Sequence, residues 1–175
     1  MSRTFFIADP HFGHSRVIAY DGRPFANVDE MNREMVKRWN SAVKANDTVW
    51  LLGDLCLTTN STFINSLVKK LNGRKNLVMG NHDRKSVEFY YGAGFCRVYD
   101  HPVLVDGRFI LSHKPVFLDE GSPFFNIHGH VHNHELYPTV SDHSCCVSCC
   151  RWDYRPVRLP VFDKRDDDKK IQEKC

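Results

Sequence analysis

Carboxylate, imidazole and carboxamide side chains recur in short glycine-containing stretches along the chain. The eight positions are Asp9, His11, Asp54, Asn81, His82, His113, His130 and His132. Carboxylate oxygens, amide oxygens and imidazole nitrogens suit Mn, Fe, Zn, Co or Ni, and no thiolate is among them. Two such ions about 3.5–4 Å apart need a shared carboxylate, and together they activate one water while holding a phosphoryl group. The side-chain chemistry therefore indicates a divalent metal site and is compatible with a two-metal centre.

The motifs that contain these residues differ in how specific they are. The Asp-x-His pattern at Asp9 and His11 occurs often by chance, and the Gly-His-x-His pattern at 129–132 is moderately specific. Gly80-Asn81-His82-Asp83 is stronger, because a given tetrapeptide appears in on the order of one in a thousand chains of this length. Taken singly, Asp9 and His113 would be ordinary turn or core residues. The ordered set as a whole favours a metal site.

Three short apolar segments precede the first motifs and predict buried strands. They are Thr4–Ile7, Thr48–Leu52 and Asn76–Met79. Each ends two residues before a candidate ligand, and helical patterns separate them. Asn27 is the expected cap of one helix, with Glu30 completing a capping box, and Ser61 is the expected cap of a second helix, which Gly73 closes. Alternating strands and helices predict a parallel sheet, whose ligands bind beyond the carboxyl ends of the strands.

The second half of the chain has a different pattern. Val103–Val105 and Phe109–Leu111 flank Asp106-Gly107 and predict a hairpin that leads into His113. Asn126–His128 is a predicted strand that opens into the Gly-His-x-His motif, and we expect a last strand around Cys146–Cys150. Residues 1–163 are therefore expected to form one domain, and the charged residues 164–175 a mobile tail.

Composition narrows the class of protein. The chain has 175 residues, of which 42% are hydrophobic, and this fits one globular domain. Its net charge of +3 is too mild to indicate a nucleic-acid partner, although such a partner is compatible with it. No apolar run reaches the roughly 18 residues of a membrane span, and the start lacks the order of a secretion signal. Seven clustered cysteines agree with a reducing compartment, so we expect a cytoplasmic protein without a membrane partner.

The motifs, in this order, resemble the signature of calcineurin-like metallophosphoesterases. The resemblance is carried by Asp9-Pro10-His11, Gly53-Asp54, Gly80-Asn81-His82-Asp83, His113 and Gly129-His130-Val131-His132. The small size, Phe12-Gly13-His14, Arg23-Pro24-Phe25 and Trp152–Pro156 are similar to compact bacterial and phage members. The resemblance implies an α/β fold, a four-layer αββα sandwich with two mixed β-sheets flanked by helices.

The resemblance also implies roles for individual residues. Asp9, His11 and His132 would hold one divalent metal ion, and Asn81, His113 and His130 a second, with Mn the ion we expect first. Asp54 would bridge the two ions. His82 would be the general acid or a stabiliser of the phosphoryl oxygens, and Asp83 would orient it.

The function expected from these roles is phosphate-ester hydrolysis by a metal-bridging hydroxide. A phosphodiesterase for nucleotide-like or small esters is favoured over a phosphomonoesterase or protein phosphatase. The reason is that Gly53-Asp54 continues as Leu55-Cys56-Leu57 and the later motif ends in Asp83, unlike the serine/threonine phosphatase pattern. A nuclease or RNA-processing enzyme is a second candidate. A non-catalytic metal-holding protein is disfavoured, because no expected ligand is missing.

Several further residues have two interpretations. His14, Arg16 and Arg84 lie beside the motifs and could bind a phosphate group, or be ordinary surface residues. His128 is expected to be a packed histidine. The four cysteines at 145, 146, 149 and 150 lie too close together for a structural zinc site and are interpreted as small core or edge residues.

Overall fold

The structure is a computed structural model of the chain, and it describes residues 2–134 and 143–163. Four strands form the first sheet in sequence order, and all neighbouring pairs are parallel. The strands are β1 (Thr4–Ile7), β2 (Thr48–Leu51), β3 (Arg74–Val78) and β4 (Arg97–Tyr99). The first three confirm the predicted strands to within two residues, whereas β4 was not predicted.

The second sheet also has four strands in sequence order. They are β5 (Val103–Val105), β6 (Phe109–Leu111), β7 (Phe125–His128) and β8 (Ser144–Cys146). The predicted hairpin is confirmed, because β5 and β6 are antiparallel, while β6, β7 and β8 are parallel. Mixed pairing is thus a property of the second sheet. The first sheet has one antiparallel contact among the described residues, the isolated bridge between Phe6 and Val157.

The described helices are α1 (Ser15–Asp21), α2 (Val28–Ala42), α3 (Ser61–Lys70), α4 (Val87–Ala93) and α5 (Pro160–Asp163). The first four connect strands of the first sheet, whereas α5 follows the second sheet. Asn27 caps α2 as predicted, because its Oδ1 accepts the backbone N–H of Glu30 at 2.9 Å. The prediction of Ser61 as the cap of α3 was wrong. Asn60 holds that position, and its Oδ1 accepts the N–H of Phe63 at 3.1 Å.

Alternation along the strands creates two apolar cores. Phe5 and Ile7 of β1 pack with the buried faces of α1–α4, whereas Phe6 and Ala8 pack against the second sheet. Phe162 of α5 joins this inter-sheet core. The expected arrangement of two packed sheets with flanking helices is therefore confirmed. At the outer face of the second sheet the described residues supply a loop, whose Val116 N–H donates to Asn126 at 2.8 Å.

The segment after β8 leaves the second sheet and reaches the edge of the first. The strand expected up to Cys150 ends at Cys146, and a 3-10 helix covers Cys149–Arg151. Isolated bridges then join Ser148 to Ala8 and Val157 to Phe6. No helix among residues 2–134 and 143–163 is long and apolar enough to cross a membrane. The expected tail, residues 164–175, lies outside the described residues.

Candidate metal centre

The loops after the strands hold the candidate ligands in an unusual backbone conformation. Positive φ angles occur at Asp9 (55°), His11 (51°), Asp54 (57°), His130 (72°) and His132 (49°). Residues with a Cβ rarely adopt the left-handed region, and such strain persists only where the surroundings enforce it. Five of the eight sequence-selected positions therefore have a backbone shaped by the fold around them.

A first cluster joins Asp9, His11 and His132. The Nε2 atoms of His11 and His132 are 3.2 Å apart, and Oδ1 of Asp9 is 3.9 Å from Nε2 of His132. One ligand atom from each residue lies within 4.8 Å of the others. Ligands bound about 2.1 Å from one ion are separated by roughly 3.0–3.4 Å, so the two imidazoles have the spacing of neighbours around a metal.

A second cluster surrounds His113. Its Nε2 lies 2.9 Å from Oδ1 of Asn81 and 3.1 Å from Nδ1 of His130. The Nδ1 atom of His113 is 3.0 Å from the carbonyl oxygen of Leu52. An Nδ1–H that donates to this carbonyl leaves the lone pair on Nε2, the atom that faces the cluster. This cluster combines two imidazoles with an amide oxygen.

Asp54 lies between the two clusters. Its Oδ2 is 3.5 Å from Nε2 of His11 and 3.6 Å from Nε2 of His113. Its Oδ1 accepts the backbone N–H of His82 at 2.9 Å. The carboxylate is buried and nearly equidistant from a ligand of each cluster, which is the position that a shared carboxylate requires.

The polar groups of Asp9 test whether a cation fits this site. Oδ2 of Asp9 accepts hydrogen bonds from the N–H of His130 at 2.8 Å and from the hydroxyl of Ser148. Oδ1 is fully buried and has no hydrogen-bond partner. It lies 3.8 Å from Nδ1 of His113 and 3.9 Å from Nε2 of His132. A buried, unpartnered carboxylate oxygen beside imidazole nitrogens fits a metal cation, because such groups are otherwise costly to bury.

Burial also changes the protonation of this site. It raises the pKa of Asp9 and lowers the pKa of His11 to about 2, with the neighbouring His132 adding to the shift at His11. His11 is therefore neutral near pH 7, which is the form that binds metal. Burial likewise lowers the pKa of His130.

Glycines of the motifs allow the loops to approach one another. A Cβ on Gly80 would overlap the carboxylate of Asp54, and a Cβ on Gly129 would overlap the side chain of Ala8 and come within 2.7 Å of Oδ2 of Asp9. Both neighbours are fixed parts of the fold. These positions exclude every residue with a side chain unless the carboxylates move.

His82 lies at the edge of the first cluster. Its ring centroid is 5.4 Å from that of His11 in an edge-on arrangement, and its buried Nδ1 has no hydrogen-bond partner. His14 stands beside them with its ring 5.6 Å from His11. Arg16 and Arg84 are exposed, and no contact among the described residues ties either of them to the clusters.

Asp83 has contacts that differ from the expected ones. Its carboxylate accepts the backbone N–H groups of Asp54 and Gly80 at 2.8 Å and of Leu55 at 3.0 Å. It makes no hydrogen bond with the imidazole of His82. Burial raises the pKa of Asp83 to about 7, although these three donors favour the charged form. Asp83 therefore ties the turn of its own motif to the loop of Asp54, and the expected orientation of His82 was wrong.

Three further residues contact the ligands. The carboxylate of Asp21 faces His132, the guanidinium of Arg23 donates to the carbonyl of Asp9, and Ser148 donates to the Asp9 carboxylate. Sequence reasoning noted the stretch around Arg23 without a role and missed the other two. No local pattern indicated them, because their partners are up to 139 positions away.

The clustered cysteines are packed residues in this structure. Cys145 is buried in the inter-sheet core, and the thiol of Cys149 donates to the carbonyl of Asp9 at 3.2 Å. No disulfide joins the cysteines among the described residues. His128 is also buried, with Nδ1 2.9 Å from the carbonyl oxygen of Gly129. Cys149 and His128 therefore contact backbone carbonyls of the loops that carry Asp9 and His130.

Comparison with known proteins agrees with this arrangement. The family model for calcineurin-like phosphoesterases matches residues 2–159. The chain belongs to this family. It is therefore a metal-dependent phosphoric ester hydrolase. The family binds divalent metals, and the clustered Asp and His side chains are potential ligands for them.

Individual relatives cover most of the chain. An uncharacterized protein of Methanocaldococcus jannaschii is 34% identical over 98% of this chain and 95% of its own. The gene 66 protein of Mycobacterium phage D29 is 29% identical over 91% of this chain and 75% of its own. A protein of unknown function from Aquifex aeolicus has a TM-score of 0.73 at 25% identity, with 93% of this chain and 98% of that chain covered.

A nuclease from Pseudomonas putida shares the fold. Its TM-score is 0.53 at 22% identity, and the match covers 74% of this chain and 62% of the nuclease.

Proposed function

We propose that this calcineurin-like phosphoesterase is a two-metal phosphodiesterase that acts on nucleotide-like esters. The main support is the position of Asp54. Its Oδ2 lies 3.5 Å from Nε2 of His11 in one cluster and 3.6 Å from Nε2 of His113 in the other. A carboxylate between two groups of imidazoles serves two ions more readily than one. Mn is the ion we expect first.

The residues present fit two divalent ions. Asp9, His11 and His132 would hold the first, Asn81, His113 and His130 the second, and Asp54 both. When bound, such ions lower the pKa of coordinated water and neutralise charge on the phosphoryl oxygens. The strained loops fix the ligands in advance, which limits the reorganisation needed during reaction.

His82 is the group we assign to the leaving oxygen. Its imidazole stands beside the first cluster rather than inside it, and the residue is partly exposed although its Nδ1 is buried. The other ring nitrogen, Nε2, is therefore the atom that we assign to donate a proton to the departing alkoxide, or a hydrogen bond to the phosphoryl group. Asn81 holds its amide oxygen 2.9 Å from His113, which places this side chain among the ligands rather than at the substrate.

An exposed aromatic residue supports a nucleotide-like substrate. Tyr20 is 67% exposed, and its ring lies edge-on to His14 with 6.4 Å between the centroids. His14 is in turn next to His11. The rings form a continuous aromatic edge that leads away from the metal ligands, and nucleobases stack on such surfaces.

The alternatives use the same ligands and differ in substrate. A nuclease should bind single strands with an affinity that falls steeply with salt, since each phosphate contact releases counterions. A phosphomonoesterase or protein phosphatase should prefer p-nitrophenyl phosphate to its diester. The domain limit at residue 163 and a cytoplasmic location also remain proposals.

The decisive experiment measures hydrolysis of bis(p-nitrophenyl) phosphate by the full chain with and without added Mn. We expect a manganese-dependent rate that collapses in Asp54→Asn and survives in Asp106→Asn, a change in the exposed hairpin turn. Tyr20→Ala should raise the KM for thymidine 5′-(p-nitrophenyl phosphate) about tenfold but not that for methyl p-nitrophenyl phosphate. A folded, metal-loaded protein without diesterase activity would contradict the proposal.

A further inference from the structure

Asp21 is the last residue of α1, Arg23 follows two positions later, and both contact residues of the first cluster. We propose that Asp21 is a positioning residue that fixes the imidazole of His132. The affinity of the first metal site should therefore depend on Asp21, whereas that of the second should not. This inference rests on the proposed two-metal site. It predicts that one residue outside the ligand set controls one of the two ions.

The contact between Asp21 and His132 is direct. Oδ1 and Oδ2 of Asp21 lie 2.9 Å and 2.8 Å from Nδ1 of His132. An imidazole that donates Nδ1–H to a carboxylate keeps its lone pair on Nε2. Nε2 is the atom that faces His11 at 3.2 Å, so the ring is held in the orientation and tautomer that a metal requires.

Arg23 fixes Asp21 in turn. Its Nε and Nη2 donate to Oδ2 of Asp21 at 3.0 Å and 2.9 Å, in a two-pronged contact. The same guanidinium donates to the carbonyl oxygens of Asp9 at 3.0 Å and Pro10 at 2.8 Å. The side chain of Arg23 is fully buried and that of Asp21 nearly so. The pair thus connects the strained loop of Asp9 with His132, although 111 positions separate Asp21 from His132.

The second cluster is supported differently. Nδ1 of His113 faces the carbonyl oxygen of Leu52, a neutral backbone group. Among the described residues, no carboxylate accepts a hydrogen bond from the imidazole of His113 or of His130, and the carboxylate oxygens nearest the His113 ring are 3.6 Å and 3.8 Å away. A carboxylate partner makes an imidazole a stronger ligand, and removal of such a partner costs about 10–100-fold in metal affinity. Loss of the Asp21 carboxylate should therefore weaken the binding of one ion and leave that of the other unchanged.

The test is a calorimetric titration of the chelator-stripped full chain with Mn²⁺. Wild-type protein should bind two ions. Asp21→Asn should bind one of them about 10–100-fold more weakly and the other within about twofold of wild type. Asp100→Asn is the matched control, because Asp100 makes the same carboxylate contact with Nδ1 of His101, at 2.7 Å, on the surface. This control should bind both ions like wild type.

A second variant guards against misfolding. Asp21→Asn leaves the buried charge of Arg23 without its partner, which can destabilise the fold by itself. Asp21→Glu keeps the negative charge that pairs with Arg23 but displaces the carboxylate by one methylene. It should also weaken the binding of one ion selectively. Unchanged affinities in the folded Asp21 variants, or an equal loss of both ions, would overturn the inference. Fewer than two ions bound by wild type would instead overturn the proposed two-metal site.

Discussion

His82 is held through its backbone N–H rather than through its imidazole. Its N–H donates to Asp54, and the adjacent Asp83 is fully engaged with other backbone groups. The residue next to it in sequence thus supports the turn, while the ring itself faces the ligands. We expect this arrangement to let the imidazole reach a substrate bound at the first cluster.

Substitution of His82 should affect substrates according to their leaving group. We expect His82→Ala to lower kcat about 100-fold for a thymidine dinucleotide, whose alkoxide must be protonated as it departs. The effect on bis(p-nitrophenyl) phosphate should be much smaller, because p-nitrophenolate leaves without a proton. Steady-state kinetics on both substrates measure the contrast, and His101→Ala on the surface is the control. Equal losses on the two substrates would rule out the acid role.

The candidate ligands could be predicted from the sequence, but the residues that hold them in place could not. Motif spacing selected the eight site positions, and the structure gathers them. Asp21 and Ser148 carry no local signal, because each acts on a partner more than 100 positions away. Asp83 was misassigned, since adjacency to His82 says nothing about which backbone donors a buried carboxylate meets.

The loops after the strands are the elements that shape the site, and glycine is part of their construction. Gly129 follows β7 with Ala8 and the Asp9 carboxylate closely packed against it. Gly92, by contrast, lies inside α4 with no atom near its would-be Cβ. The two positions provide a matched pair of glycine-to-alanine changes.

Gly129→Ala should displace Asp9, lower the melting temperature and weaken the first metal ion. Gly92→Ala should instead raise stability by about 0.5–1 kcal/mol, because alanine is the better helix former. Thermal unfolding with and without Mn measures both effects. A tolerated Gly129→Ala with wild-type metal affinity would show that the loop is more adaptable than its packing indicates.

Asp47 fastens the start of β1 to the turn before β2. Its carboxylate accepts the backbone N–H of Arg3 at 3.0 Å, the guanidinium of Arg3 at 2.6 Å and the N–H of Lys44 at 2.8 Å. The hydrogen bonds from the Arg3 side chain hold the pKa of Asp47 well below its usual range, against the opposing effect of burial. The charged carboxylate is thus favoured in the folded state.

A depressed pKa stabilises the fold only while the carboxylate is charged. The contribution is complete above the unfolded-state pKa of about 3.9 and is lost as the pH falls toward the folded-state value. Asp47→Asn should therefore be less stable than wild type near neutral pH, with the difference shrinking below about pH 4. Chemical denaturation across this range tests it, with Asp106→Asn as control. A stability difference that is independent of pH would indicate that the variant loses hydrogen-bond geometry rather than the charge of the carboxylate.

Long elements were predicted more reliably than short ones. The apolar periodicity of α2 and the three strand segments identified their elements to within about two residues. The helices α1 and α4 have only seven residues each, too few to show a repeating face. The final strand stops early, because Ser148 turns toward Ala8 and Asp9 and the chain then forms a 3-10 turn.

At the scale of the whole molecule, each cluster draws ligands from both sheets. Asp9 and His11 follow β1 whereas His132 follows β7, and Asn81 follows β3 whereas His113 follows β6. Bound ions would therefore cross-link two sheets that are otherwise joined by an apolar core. Topology predicted the meeting of the first-sheet ligands, and the packing of the second sheet came from family resemblance.

Metal removal should consequently lower global stability. At a free Mn concentration about 1,000 times the dissociation constant, one ion stabilises the fold by about 4 kcal/mol. Chelation should lower the melting temperature of wild type by several degrees and have little effect on Asp54→Asn. Calorimetry with and without chelator measures the change. Identical melting temperatures in wild type would mean that the ions bind folded and unfolded chains alike.

The contacts between the loop of Asp9 and the segment after β8 have a consequence for how the protein is made. Ser148 and Cys149 donate to Asp9 across 139 and 140 positions, and Val157 pairs with Phe6. A ribosome releases Asp9 early, but its partners emerge only after nearly the whole domain has been translated. A nascent chain that stops before Ser148 therefore lacks the hydrogen bonds that hold the carboxylate and the carbonyl of Asp9. We expect nascent chains to become active toward phosphate esters only after this segment has left the ribosome.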